Sequence, residues 1–442
     1  MSHSIGSPRG RLEQLFLDRA LNPLQGILSK AVIEGFARGI GHRWRRCVYS
    51  PAATLLACVF KQSSPQVSCR DVEDWVWSKL PLESAPENNS GDDFCEARRR
   101  LPLGVFARAL AHTAALAGEV GKPAVWLVDG TGLALPRCPE LFAVFGRRGA
   151  KARMPGANLL LFTDAATGAV MQADLTGNDQ GEIRQFLRCL DAVPADTTIV
   201  GDRQFGSYLA FHAMSQKGIG AVVRLNISRK PTAVERIGRG DEIQTWRKTQ
   251  ASLSAFPEAM RSAPETLRVR VVRRTIRRKG YRPVRIALAT NLLDAAQWPP
   301  EKIVELYGLR WLAENDIRDL KLRHGLRRLG SKRADTVCKE VWAALLAYNA
   351  VKLLQKQSGR PPRKLSHERG RAIMMETAGA MSRAPTEVLP QLYRHMLNQL
   401  ARAGLRRQER PPQPRAIVWD PTAPYPMLYR SRASWYQHYR AA

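Results

Sequence analysis

The sequence predicts an α/β protein: a mixed sheet flanked by helices, interrupted by a β-rich insertion and preceded by an all-α N-terminal domain. Three observations predict this. Apolar residues recur at helical spacing from about residue 11 to 80, and between 121 and 225 short apolar runs alternate with helical segments. From 226 to 290 a β-prone, arginine-rich stretch replaces that alternation, and helical spacing returns near Pro299. The 442 residues, 44% hydrophobic and 24% charged, suffice for one large core or two to three smaller ones.

Residues 1–80 form the N-terminal helical domain, with Ser50 before Pro51 and Ser68 in "SCRDVEDWVW" as N-caps. Its basic stretch "GHRWRRCVYS" reads equally as a DNA-phosphate contact and as a solvated helix face. Residues 81–120 supply an exposed linker, within the Pro-, Ser-, Asn- and acid-rich "LPLESAPENNSGDD", and then a lead-in helix.

The first part of the core spans 121–225. "PAVWLVDGTGLALP" predicts a strand containing Asp129, and "NLLLFTDAATGAVMQADLTG" predicts two strands joined at "DAATG". A helix over about 179–191, the strand "TTIVGD" running into Asp202, a helix over about 207–217 and the strand "GAVVRL" follow. The order βββαβαβ, an antiparallel meander continued by parallel strands with helical crossovers, is that of a ribonuclease-H-like layer. The insertion, 226–290, carries "LRVRVVRRTIRRKGYRPVRIAL", nine basic residues and no acid, which predicts a basic hairpin turning at "KGY". Nine unpaired positive charges exceed what protecting a sheet edge requires, which favours phosphate contact. The second part of the core, 291–360, begins with Pro299 and Pro300 at a helix start, and 361–442 is helical and then Arg- and Pro-rich.

Charge narrows the partners. The chain has 69 Lys plus Arg against 39 Asp plus Glu, a net +30, which attracts polyanions; nucleic acid is the leading partner. No apolar run approaches eighteen residues, so no membrane role is expected, and the first 24 residues contain no apolar export signal, so an intracellular protein is expected. Seven cysteines without a CxxC pair fit neither a disulfide framework nor a zinc site, and no Walker loop or GxGxxG supports nucleotide hydrolysis. His367 and Glu368 lack the second histidine of HExxH and read as a loop or cap pair.

"YGLRWLAENDIRDLK", residues 307–321, concentrates the chemistry. On one continuous helix Tyr307 at 0°, Arg310 at about 300°, Glu314 at about 340° and Lys321 at about 320° share a stripe. Leu306, Leu309, Ala313, Ile317 and Leu320 make the neighbouring core-facing stripe. A carboxylate among cations and an aromatic hydroxyl suits a place where metal and phosphate meet, although Glu314 with Arg310 or Arg318 also reads as an ordinary i,i+4 pair. Asp129 and Asp202, each ending an apolar strand at a turn, join Glu314 as a possible all-oxygen cage for two Mg²⁺ ions. Taken singly, each aspartate reads more readily as a turn or cap residue.

Together these positions resemble the insertion-sequence 4 family of bacterial DDE transposases. The resemblance rests on "VDGTGL", "GDRQFGS" and the spacing Y-x2-R-x3-E-x6-K at residues 307, 310, 314 and 321, a highly specific signature. "ARRRLP" and "LRRLGSKRADTVCKEVWAALLAYNAVKLL" extend it over roughly residues 40 to 360; Gln204 stands where relatives vary. The resemblance implies a ribonuclease-H-like catalytic core split by a β-rich insertion between the second and third acids. It implies that Asp129, Asp202 and Glu314 are catalytic and hold Mg²⁺ (or Mn²⁺), and that Tyr307, Arg310 and Lys321 grip DNA. It further implies a cytoplasmic, nucleoid-associated bacterial enzyme that acts on double-stranded DNA, both element terminal repeats and target, as a homodimer when synapsed. Cleavage at the element end frees a 3′-OH that joins target DNA. The alternatives are a catalytically silent DNA-binding descendant and a nuclease of similar fold that hydrolyses without joining.

Overall fold

The computed structural model describes residues 22–405 apart from 25, 46, 65, 79–89, 119–122, 148–152, 179, 227–229, 249–255, 257–260, 262 and 278–282, together with Ser434 and Gln437. The linker predicted around 80–93 falls mostly outside these residues, as do the "KGY" turn and nearly all of the Arg- and Pro-rich tail.

A nine-stranded mixed sheet organises the chain in the order β3-β2-β1-β4-β5-β9-β8-β7-β6. The strands are β1 (Val125–Ala134), β2 (Gly156–Asp164), β3 (Val170–Gly177), β4 (Thr198–Gly201), β5 (Gly220–Arg224), β6 (Ala233–Gly238), β7 (Asp241–Arg247), β8 (Thr266–Ile276) and β9 (Val284–Thr290). As predicted, β1, β2 and β3 form an antiparallel meander, and β4 and β5 extend it in parallel with β1. The "DAATG" turn closes where Gly168 adopts φ +83° and Asp164 Oδ2 accepts from Thr167 N–H at 2.6 Å and Thr167 Oγ1–H at 2.7 Å.

The insertion strands do not form a separate sheet. β9 pairs antiparallel with β5 through Val222↔Thr290 to Arg224↔Leu288, so the basic hairpin β8–β9 continues the main sheet. Sequence spacing missed this because an antiparallel partner can arrive from any later part of the chain.

The hairpin's charge also differs from expectation. Arg270 is fully buried in a two-bond pair with Asp241 at 2.8 and 2.6 Å, and Arg268, Arg273 and Arg274 pair with Glu235, Glu242 and Glu301. At least four of the nine cations are thus neutralised by acids that lie outside the quoted stretch.

Helices cover both faces. Glu182–Cys189 and Tyr208–Gln216 pack on the face formed by Val128, Phe162, Ile199 and Val223. On the other face, Ile303 and Ala313 meet Leu127, Val200 and Val222. The 24-residue central helix Ala334–Gln357 is buried along almost its whole length and shares one core with Lys30–Arg38, Pro51–Ser63, Leu103–Ala117, β2 and the helices His367–Met381 and Leu389–Arg402. Ser50 and Ser68 are N-caps as predicted, accepting from Ala53 and Asp71 N–H groups. The "GHRWRRCVYS" stretch connects two helices rather than lying on one.

Buried polar groups fix the central helix. Asn349 takes the N–H of Val170 at 2.7 Å and donates to its carbonyl at 2.8 Å, which registers the helix on β3. His324 Nδ1 meets the Gln62 carbonyl at 3.2 Å and its Nε2 meets His367 Nε2 at 2.8 Å. The Nε2···Nε2 contact requires at least one neutral ring, because two doubly protonated rings would set N–H against N–H.

Burial, and then Arg371, hold His324 down at about 3, and burial holds His367 well below its usual range. Both folded values lie below the unfolded value of 6.5, so below that pH unfolding takes up protons and stability falls as pH drops. Two linked protons give a slope of about 2.7 kcal/mol per pH unit between roughly pH 6 and 4 from this pair. Urea unfolding across that range should show such a slope, and His367→Gln should shallow it by one proton. An unchanged slope in the variant would contradict a neutral pair.

Candidate active site

The register of the parallel strands brings two acids together. β1 pairs with β4 as Val125↔Thr198, Trp126↔Ile199 and Leu127↔Val200. Continued by two residues, that register sets Asp129 opposite Asp202, on backbones about 4.8 Å apart. Asp129 does not end its strand, as the sequence suggested, because β1 runs on to Ala134 paired with β2. What ends beside Asp129 is its parallel neighbour, and the side chain therefore opens at the carboxyl edge of the parallel strands, where α/β folds place their sites. Asp202 caps the short turn Arg203–Gly206, its Oδ1 accepting from Gln204 N–H at 2.7 Å. Asp129 Oδ1 accepts from Gly130 N–H at 3.0 Å.

The third acid arrives on a helix. The expected single helix is two: Pro300–Gly308 and Arg310–Arg323, broken at Leu309. Tyr307 therefore ends the first while Arg310, Glu314 and Lys321 lie on the second. Of the predicted core stripe, Ala313 and Leu320 are buried, joined by Asp316, whereas Leu306, Leu309 and Ile317 are only half-buried. Asp316 accepts from Tyr348 Oη–H at 2.7 Å and Arg363 at 2.6 Å, anchoring the helix. Lys321 Nζ donates to the Gly132 carbonyl at 3.2 Å, three residues along the strand from Asp129.

Arg310 and Glu314 make the i,i+4 pair that the sequence left open, at 2.7 Å. Electrostatics link them to the strand. Burial raises the Asp129 carboxyl first; the Gly130 N–H and Arg310 oppose that, and Asp202 and Glu314 add to it. Asp129 thus feels both other acids and Arg310, and Arg310 feels Tyr307 as well.

One feature went unseen in the sequence. Glu182, the first residue of the Glu182–Cys189 helix, is pushed up to about 7 by burial and then by Asp202 and Asp129. Nothing in "GNDQGEIRQF" marks it, because its role depends on which strand its helix crosses. Arg224, by contrast, was legible as the end of a strand. With Val200↔Val222 and Gly201↔Val223 paired, continued register sets Arg224 opposite Asp202. A cavity of about 730 Å³ begins there, lined by Arg224, Arg239, Arg273, Arg274, Arg277 and Arg285. Acids and arginines thus follow one another along one edge of the sheet. Trp311 projects beside them, 64% exposed, with Arg310 5.3 Å from its ring centre.

Carboxylate oxygens suit a hard divalent cation, and a cation would offset both the burial and the acid repulsion that raise Asp129. Among the described residues no three His, Cys, Asp or Glu side chains already surround one point, and Glu314 is turned to Arg310. The donor set fits such an ion once Glu314 leaves Arg310.

This edge, two strand acids and a helix glutamate on a mixed sheet, points to a class. The chain belongs to the transposases with a DDE domain: the family model described as "Transposase DDE domain" matches residues 121–350, just over half its length. It is 26% identical over 362 residues to the transposase InsG for insertion sequence element IS4 of Escherichia coli strain K12, covering 74% of this chain and 77% of the relative. The resemblance to the insertion-sequence 4 family read from the motifs is borne out. Among solved structures, the piggyBac transposase synaptic complex with hairpin DNA aligns with 88% of this chain and 87% of that one at 9% identity and a TM-score of 0.44. Among the described residues no helix is long and apolar enough to cross a membrane.

Proposed function

We propose that this transposase cleaves the ends of its own insertion sequence and joins the freed 3′-OH to target DNA, with Asp129, Asp202 and Glu314 holding divalent ions. The observation that carries the reading is the strand register that sets Asp129 beside Asp202, with Glu314 in electrostatic reach. When bound, a pair of Mg²⁺ ions, or Mn²⁺ in their place, would activate the attacking oxygen and neutralise the leaving one. The protein's own part is to position. Arg310, once released by Glu314, is free to take a phosphate oxygen, Lys321 holds the strand beside it, and Tyr307 supplies a hydroxyl at the same edge. Trp311 offers a face on which an unpaired base stacks. A homodimer would bring the two element ends into one complex.

The arginine cavity extends the phosphate track away from the acids. Arg277→Ala combined with Arg285→Ala should weaken binding across DNA sequences alike and shallow the plot of log affinity against log salt by up to about 0.9 per cation removed. An unchanged slope would exclude this cavity from the DNA path.

The decisive assay uses linear DNA bearing the inverted repeats that flank the coding region, with Mg²⁺ and purified full-length protein. Nicks at the repeat termini followed by joined products support the proposal. Cleavage without joining would point to a nuclease, and salt-dependent binding without cleavage to a silent DNA-binding descendant.

A further inference from the structure

Glu182 approaches the acids from the far side of the sheet. Side chains alternate along β1: Leu127 packs with Ile303 and Ala313 on one face, and Trp126 and Val128 pack with Phe186 and Cys189 on the other. Asp129 therefore shares its face with the helix that carries Glu314. Gly130 faces the Glu182–Cys189 helix, and its missing side chain leaves a gap that the Glu182 carboxyl fills. A Cβ built on Gly130 would stand 3.0 Å from Glu182 Cδ and collide with its Oε1. Glu182 makes no hydrogen bond or ion pair among the described residues, although it is more than half withdrawn from water beside two other acids. A carboxylate so placed, without a counter-charge of its own, is matched by a cation arriving between it and the aspartates.

We propose that Glu182 is a fourth carboxylate of the catalytic centre, reaching through the gap over Gly130 to position the cation taken up by Asp129 and Asp202. This rests on the reading of those two aspartates as cation ligands. Glycine at 130 is then a requirement of the site: any side chain there displaces the flexible end of Glu182 while the backbone, at an ordinary strand position, is left as it is.

Mn²⁺ titration of the full-length, DNA-free protein, followed by electron paramagnetic resonance and calorimetry, separates the two levels. Wild type should bind Mn²⁺ saturably and Asp202→Asn should abolish that binding. Glu182→Gln and Gly130→Ala should each weaken it tenfold or more, with circular dichroism and metal-free thermal midpoints no lower than wild type. A merely structural Glu182 would instead lower the midpoint and leave Mn²⁺ affinity alone. If Asp202→Asn abolishes binding while both other variants stay within twofold of wild type, the role of Glu182 is wrong and the aspartate reading stands. Wild type without saturable binding, or Asp202→Asn binding normally, overturns the aspartate reading and this proposal with it.

Discussion

Asp202→Asn is expected to lose cleavage and joining by on the order of 10³-fold or more, at least about 4 kcal/mol of transition-state stabilisation. The substitution separates charge from structure. Asp202 Oδ1 accepts from Gln204 N–H at 2.7 Å, and an asparagine oxygen takes the same bond, so the turn Arg203–Gly206 stays capped. Only the negative charge is removed. DNA affinity should hold or rise, because an acid is lost from a surface that meets phosphates. Asp202→Ala loses the cap too, at a further cost of about 1 kcal/mol in stability. Single-turnover cleavage and filter binding on the same preparations check both halves; cleavage within tenfold of wild type would remove Asp202 from the chemistry.

The largest stability effect is expected inside the insertion. Arg270→Met leaves Asp241 buried without its partner and should destabilise the protein by about 3–5 kcal/mol. Arg270 is fully buried and holds Asp241 through two bonds, while its remaining nitrogen donates to the Trp298 carbonyl at 2.7 Å. Trp298 immediately precedes Pro299 and Pro300, where the first of the two signature helices starts. One guanidinium therefore ties the insertion to the segment that delivers Tyr307 and, beyond the break, Glu314. Urea denaturation measures the loss. The double variant Arg270→Met with Asp241→Leu should recover much of it, because the penalty lies in the stranded charge. Equal stability of Arg270→Met and wild type would show that the pair bears no weight.

The residues that sequence reasoning placed well obey local rules. Seven of the core elements over 121–225 were readable from apolar runs and turn chemistry, though not the short helix Pro139–Phe145, and Ser50 and Ser68 were readable from capping. Asp202 was readable as a strand-end acid, whereas Asp129 was misplaced at the end of a strand that runs on to Ala134, and only the fold shows that the two strands are neighbours in one register. What stayed hidden depends on long-range pairing. The acids that neutralise Arg268, Arg270, Arg273 and Arg274 sit about 27 to 33 residues away, so a nine-fold cationic hairpin looked bare. The break at Leu309 was missed because neither proline nor an outward sign of strain marks it; Gly308 is the one local hint. Glu182 was unreadable for a third reason: its meaning comes from a glycine on a strand that its own helix crosses.

The most direct measurement is anomalous scattering from Mn²⁺ in crystals of the protein bound to its terminal-repeat DNA. The account predicts density between the Asp129 and Asp202 carboxylates, with Glu314 turned from Arg310 toward the ion and Arg310 on a phosphate. Mn²⁺ bound elsewhere, with Glu314 still paired to Arg310 and no ion between the aspartates, would contradict it.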